Sequence, residues 1–125
     1  MSLVDASVLI DHLRGHQPAV ELLGRLIETE EVVATSEVVR FEVLAGMLDG
    51  EQEDTEQLFR ALDVLPVTEE VTRHAAALAR QFRASHSGID TADYLIAATA
   101  RLYGLPLMTR NVRHFPMMDG LEAPY

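Results

Sequence analysis

The sequence contains no cysteine, which excludes disulfides, thiolate chemistry and cysteine zinc sites together. It contains no lysine either: all ten basic residues are arginine. No apolar run approaches the ~20 residues that a membrane-spanning helix needs. The opening "MSLVDASVLIDHL" has no basic flank and is interrupted by acids, unlike a signal peptide. Internal repeats, low-complexity segments and domain-dividing linkers are absent too. A cytoplasmic chain without membrane contact is the expectation these absences leave. Its 125 residues, 48% of them hydrophobic, suffice for one domain with a sizeable core.

Charge is present and one-sided. The net charge of −10 argues at first against a nucleic-acid partner, because phosphate binding usually leaves a basic footprint. Distribution matters more than the total. Glu28, Glu30 and Glu31 form one acidic cluster; Glu51, Glu53, Asp54 and Glu56 form another, and both read as solvated surface. From Thr99 to His114, Arg101, Arg110, Arg113 and His114 occur without a single acid.

Apolar runs and helical periodicities alternate along the chain. "SLVD" reads as a buried strand, "ASVLIDHLRG" as a short helix, and "PAVELLGRLIE" (18–28) as a helix with proline in its first turn. "VVAT" (32–35) is a second strand, after which Ser36 caps a helix through Met47. A helix at 55–62 and a strand at 63–67 follow, then a long helix capped by Thr68. The segment from Asp90 to about Tyr103 is a helix stopped by Gly104, and "PLMT" (106–109) is a fourth strand. "GLEAP" near the end offers a short fifth. The pattern predicts an α/β fold: a single domain whose mainly parallel sheet of four to five strands is flanked by helices on both faces. Functional groups in such folds gather beyond the carboxyl ends of the strands.

Three acids border or interrupt apolar runs at the ends of these elements. Asp5 follows "LV", Glu42 sits inside "SEVVRFEVLAGM", and Asp93 precedes "YLIAA". Each has a plain explanation alone: Asp5 as a helix cap, Glu42 as a partly exposed helix residue, Asp93 as a first-turn acid favoured by the helix dipole. Converging, they would repel, by roughly 3 kcal/mol per pair at ~5 Å and an effective dielectric of ~20. A fold keeps such a cluster only if protons or a divalent cation neutralise it. Hard oxygen donors without cysteine favour Mg2+ or Mn2+. On the helix at Asp90, geometry suggests a division: Asp90 caps the amides while Asp93 projects sideways into the cluster.

The segments "LVDASVLIDHLRG", "SEVVRFEVLAG", "DYLIAATARLYGLPLMTRNVRHF" and the final "GL" occur in the order found in PIN-domain ribonucleases, and the chain resembles above all the VapC toxins of bacterial toxin–antitoxin pairs. The resemblance spans nearly the whole chain, although 49–87 contribute only a helical pattern. It implies a metal-dependent endoribonuclease, usually a homodimer, that cleaves RNA and is inhibited by a cognate VapB-like antitoxin. The family's acidic metal site falls on Asp5, Glu42 and Asp93. A further acid is often found where this chain has Asn111, an amide that would hold a metal more weakly; Asp90, or failing that Asp119, is placed to compensate. Ser7 matches a small hydroxyl residue that would bind Asp5 or a phosphate, or cap the helix. Arg110, ahead of Arg113, is the candidate phosphate contact. His114 precedes Phe115 and is assigned no catalytic part, and the remaining histidines lack metal-ligand spacing.

Two other classes compete. A phosphatase or phosphoacceptor domain also ends its first strand on aspartate, but requires a lysine, and the phosphatase plan needs an acid where Ser7 stands. A non-catalytic protein-binding domain of the same fold is the stronger alternative, kept open by Asn111 and the acidic surface.

Overall fold

The computed structural model describes residues 1–29 and 32–125. Glu30 and Glu31, two of the acids expected at the surface, lie outside the described residues. Four short strands form one parallel sheet: β1 (Ser2–Val4), β2 (Val33–Ser36), β3 (Asp63–Leu65) and β4 (Leu107–Met108), in the order β3-β2-β1-β4. Leu3 pairs with Ala34 on one side and Leu107 on the other, so β1 is the central strand between β2 and β4. Its residues are fully covered, which explains why "SLV" carries no alternation of polar and apolar positions.

Connections from β1 to β2 and from β2 to β3 step one way across the sheet, and the connection from β3 to β4 steps back the other way. Right-handed crossovers running in opposite directions deposit their helices on opposite faces. Helices α1 (Ala6–Leu13), α2 (Gln17–Thr29), α3 (Glu37–Ala45) and α4 (Gln52–Arg60) belong to the first set; α5 (Glu69–Phe82) and α6 (Thr91–Leu102) belong to the second. The direction reverses between β1 and β4, which is the switch point where ligands of open α/β sheets are bound.

Caps fall where the sequence places them. Ser36 Oγ accepts from the Val39 amide at 3.1 Å and Thr68 Oγ1 from the Val71 amide at 3.1 Å. Gly15 and Gly104 adopt left-handed backbone (φ 74° and 64°) just beyond α1 and α6, a conformation that costs glycine little. The core joins Leu3, Val8, Leu9, Leu23, Val39, Val71, Ile96 and Phe115, all at or below 1% exposure.

Two expectations are corrected. Gly120–Pro124 forms no fifth strand: the segment is a turn followed by irregular chain. It instead brings Tyr125 back to α1, where its hydroxyl donates to Asp11 Oδ2 at 2.6 Å. Glu51 is not simply solvated; its carboxylate accepts from the Leu48 amide at 2.6 Å and meets Arg14 at 3.2 Å, tying the α3–α4 turn to the end of α1. Beyond β4 the chain makes a short 3-10 turn, η1 (Val112–His114), which the periodicity did not foretell.

A candidate acidic site at the strand ends

β1 delivers Asp5 and β4 delivers Thr109 to the same edge of the sheet. Asp5 is 4% exposed and Thr109 fully buried. Asp5 has the backbone of an N-cap residue, yet its side chain makes no capping bond to α1. It turns instead toward the neighbouring strand, where Thr109 Oγ1 donates to Asp5 Oδ2 at 2.6 Å. Ser7 Oγ is 3.4 Å from the same oxygen and accepts from the Arg110 amide at 3.0 Å. Thr109 Oγ1 in turn accepts from the Asn111 amide at 3.0 Å. One carboxylate thereby organises the ends of both strands.

α3 packs against both α1 and α6 and carries Glu42, half-buried, toward the same space. Burial and then the charges of Asp5, Asp90 and Asp93 push its carboxyl up to about 7. Asp93, 7% exposed, is pushed up to about 6, mainly by burial, while the Asp90 amide and His114 pull the other way. Asp5 is raised by burial, and the Thr109, Ala6 and Ser7 donors offset part of that rise. Burial thus raises all three acids, which come from three elements, and the charges of Asp5 and Asp93 reach Glu42.

At the start of α6 the two aspartates divide their work less cleanly than geometry suggested. Asp90 Oδ1 accepts from the Asp93 amide at 2.9 Å, as a cap should. Asp93 Oδ2 also reaches back to the Asp90 amide at 3.1 Å, closing a reciprocal capping box. Its place as the third residue of α6 allows both: the carboxylate closes the box and is itself buried. The same oxygen is 3.3 Å from His114 Nδ1 on η1. His114 is thus a member of the site that sequence reasoning passed over; its place beside Phe115 suggested packing, and only the 3-10 turn brings its ring to Asp93.

The remaining candidates are exposed. Asn111 is exposed at the start of η1, with no capping bond from its side chain. Arg110 and Arg113 are exposed, as is Asp119, whose charge is not among those that shift the three acids. Among the described residues no group of three histidine, aspartate or glutamate side chains stands ready to hold a metal ion. The charges of Asp5 and Asp93 are nevertheless felt at Glu42. Three hard oxygen donors with raised carboxyls suit a divalent cation of the magnesium type. A cleft of about 450 Å³ between α1, α2 and α4, lined by Leu13, Leu23, Ile27 and Leu58, contains none of these acids.

Residues 2–121 match the family model for the PIN domain. This chain belongs to the PIN-domain family. Within it, the chain is closely related to the VapC ribonucleases. It is 49% identical over 125 residues to "Ribonuclease VapC19" of Mycobacterium tuberculosis strain H37Rv, covering all of both chains. It is 41% identical to "Ribonuclease VapC10" of the same strain, covering all of this chain and 93% of that one. Among solved structures, a toxin–antitoxin complex from Klebsiella pneumoniae aligns over 100% of this PIN chain and 98% of its own, with a TM-score of 0.78 and 26% identity. The DNA-bound VapBC of Salmonella typhimurium, 18% identical with a TM-score of 0.80 and covering 98% and 97% of the two chains, shares the fold.

Proposed function

We propose that this chain is a metal-dependent endoribonuclease that hydrolyses RNA phosphodiesters as the toxin of a toxin–antitoxin pair, inhibited by a VapB-like antitoxin. The observation that carries this is 49% identity to a VapC ribonuclease along the whole length of both chains, in a chain that buries Asp5 and Asp93 and lets their charges reach Glu42. The Klebsiella toxin–antitoxin complex, at 26% identity and full coverage, supports the antitoxin partner. No helix among the described residues is long and apolar enough to cross a membrane.

Asp5, Glu42 and Asp93 would hold Mg2+ or Mn2+, with Asn111 as a weaker neutral donor and Asp90 as an outer carboxylate. The bound cation would supply positive charge to a phosphodiester oxygen and a water of lowered pKa. The chain's own residues do the positioning. Thr109 and Ser7 fix the Asp5 carboxylate through hydrogen bonds that do not depend on the cation. His114 and the Asp90 amide fix Asp93 from two sides. Arg110 and Arg113, exposed on the same loop, offer guanidinium donors to the phosphates on either side of the cut. An antitoxin segment bearing arginine would pair with the same acids and block them.

The test is cleavage of total RNA by the purified protein with Mg2+, with Mn2+ and with EDTA. Cleavage with either cation and none with EDTA is expected. Absence of cleavage under all conditions, with tight antitoxin binding retained, would favour a non-catalytic protein-binding domain.

A further inference from the structure

Arg110 is held at both ends. Its amide donates to Ser7 Oγ at 3.0 Å, and Ser7 Oγ lies 3.4 Å from the Asp5 carboxylate, so its backbone is fixed at the edge of the acidic site. Its guanidinium carbon stands 4.6 Å from the ring centroid of Tyr125. That ring is anchored in turn: its hydroxyl donates to Asp11 Oδ2 at 2.6 Å, and the His16 ring lies 5.6 Å away at a tilt of 48°. Asp11 is one helical turn beyond Ser7 on α1, on the same face. Tyr125 lies beyond the residues 2–121 that match the PIN family.

Asp11 accepts from Tyr125 and makes no ion pair with Arg110; among the described residues Arg110 has no carboxylate partner. Its charge is therefore left for an external anion. The contact with the ring uses none of the guanidinium's N–H groups as hydrogen-bond donors, which leaves them to grip a phosphate. A free arginine would lose its rotamer freedom on binding, whereas one already laid on a ring has lost much of it beforehand.

We propose that Tyr125 is a positioning residue that clamps Arg110 as the contact for an RNA phosphate flanking the cut, so that the segment after η1 forms part of the substrate site. This rests on the ribonuclease reading above.

The experiment is a double-mutant cycle on the full chain, with Tyr125→Leu, Arg110→Gln and their combination, and with Tyr125→Phe as the conservative variant. Cleavage in Mg2+ gives KM and kcat. Affinity for a short fluorescein-labelled single-stranded RNA of mixed sequence is measured by anisotropy in Ca2+, over a salt series. Tyr125→Leu should raise KM and the RNA Kd about two- to fivefold, the size of one exposed cation–π contact, with kcat held. Tyr125→Phe keeps the ring but loses its bond to Asp11, and should fall between wild type and Tyr125→Leu. Arg110→Gln should lower the salt slope by about 0.7, the value for one phosphate contact on a single strand. Added to Arg110→Gln, Tyr125→Leu should do nothing further.

Additive losses, a loss confined to kcat, or tighter RNA binding by Tyr125→Leu would each overturn the clamp. Melting curves on every variant identify a merely structural loss, which would lower affinity equally with Arg110 absent. A wild type that binds RNA in Ca2+ but never cuts it would overturn the proposed function, while the binding cycle still decides the clamp. A wild type that does neither overturns both.

Discussion

Thr109 Oγ1 and Asp5 Oδ2, 104 positions apart in the chain, are joined by a 2.6 Å hydrogen bond that ties the end of β4 to the end of β1. The donor is fully buried and the acceptor nearly so, which makes the bond both a fastening for the sheet and a support for the acidic site. Thr109→Val keeps the shape and removes the hydroxyl. It should cost about 1–3 kcal/mol of stability, since a buried carboxylate loses a donor. Activity at limiting Mg2+ should fall by about 10–100-fold, as is usual when a residue supporting a ligand is lost, and recover in part at high Mg2+. Denaturant melts and an Mg2+ titration of cleavage check both, and an unchanged Mg2+ dependence would refute the supporting role.

Asp90 and Asp93 share a capping box, so both substitutions touch the start of α6. Asp90→Asn should be mild, because asparagine caps about as well as aspartate. Asp93→Asn should abolish nearly all cleavage, because an amide cannot supply the charge of the buried carboxylate. Side-by-side cleavage assays with melting curves decide it; a dead Asp90→Asn beside an active Asp93→Asn would reverse the roles.

The raised carboxyls give the metal-free protein a definite pH dependence. Glu42 moves from an ordinary 4.5 to about 7 and Asp93 from 3.8 to about 6. In that window the folded chain holds more protons than the unfolded chain, so stability falls as pH rises. Only well below pH 3.8 are both acids protonated in either state, and there the penalty disappears. The contribution of these two groups should therefore decline from pH 3.8 to about 7 in EDTA and then level off. Urea melts of wild type and Glu42→Gln isolate it: the difference between them should grow across this window in favour of Glu42→Gln. A constant difference would show that Glu42 is not desolvated as described.

Divalent cation should reverse that penalty. Mg2+ or Mn2+ in excess should raise the melting temperature at neutral pH, because a ligand of the native state alone stabilises it by mass action. The increment should shrink in Glu42→Gln and vanish in Asp5→Asn. Calorimetry of each variant with and without metal reads this independently of RNA cleavage, and an undiminished increment in both variants would place the cation elsewhere.

Phe41 is 69% exposed and Leu44 37% exposed, three residues apart on α3, with Leu48 at 55% just beyond it. A patch of this kind on a helix surface is characteristic of an interface. The wild type should self-associate at micromolar concentration, and Phe41→Glu should shift it toward monomer. Light scattering measures this, and a monomeric wild type would exclude the patch as a homodimer contact.

Periodicity and composition were enough to set the alternation of strands and helices, the caps at Ser36, Thr68 and Asp90, and the absence of sulfur chemistry, because each depends on residues a few positions apart. The acids Asp5, Glu42 and Asp93 could be singled out for the same local reason: each is a charge beside an apolar run. Whether they face one another depends on strand order, and β1 lies between β2 and β4 through contacts that no local pattern encodes. The same applies to His114, brought to Asp93 by a 3-10 turn without a periodic signature, and to Tyr125, which returns to α1 where a fifth strand had been expected. Local spacing fixes which elements form. Only closure of the sheet, which satisfies backbone hydrogen bonds and buries β1 on both faces, decides which distant side chains share a site.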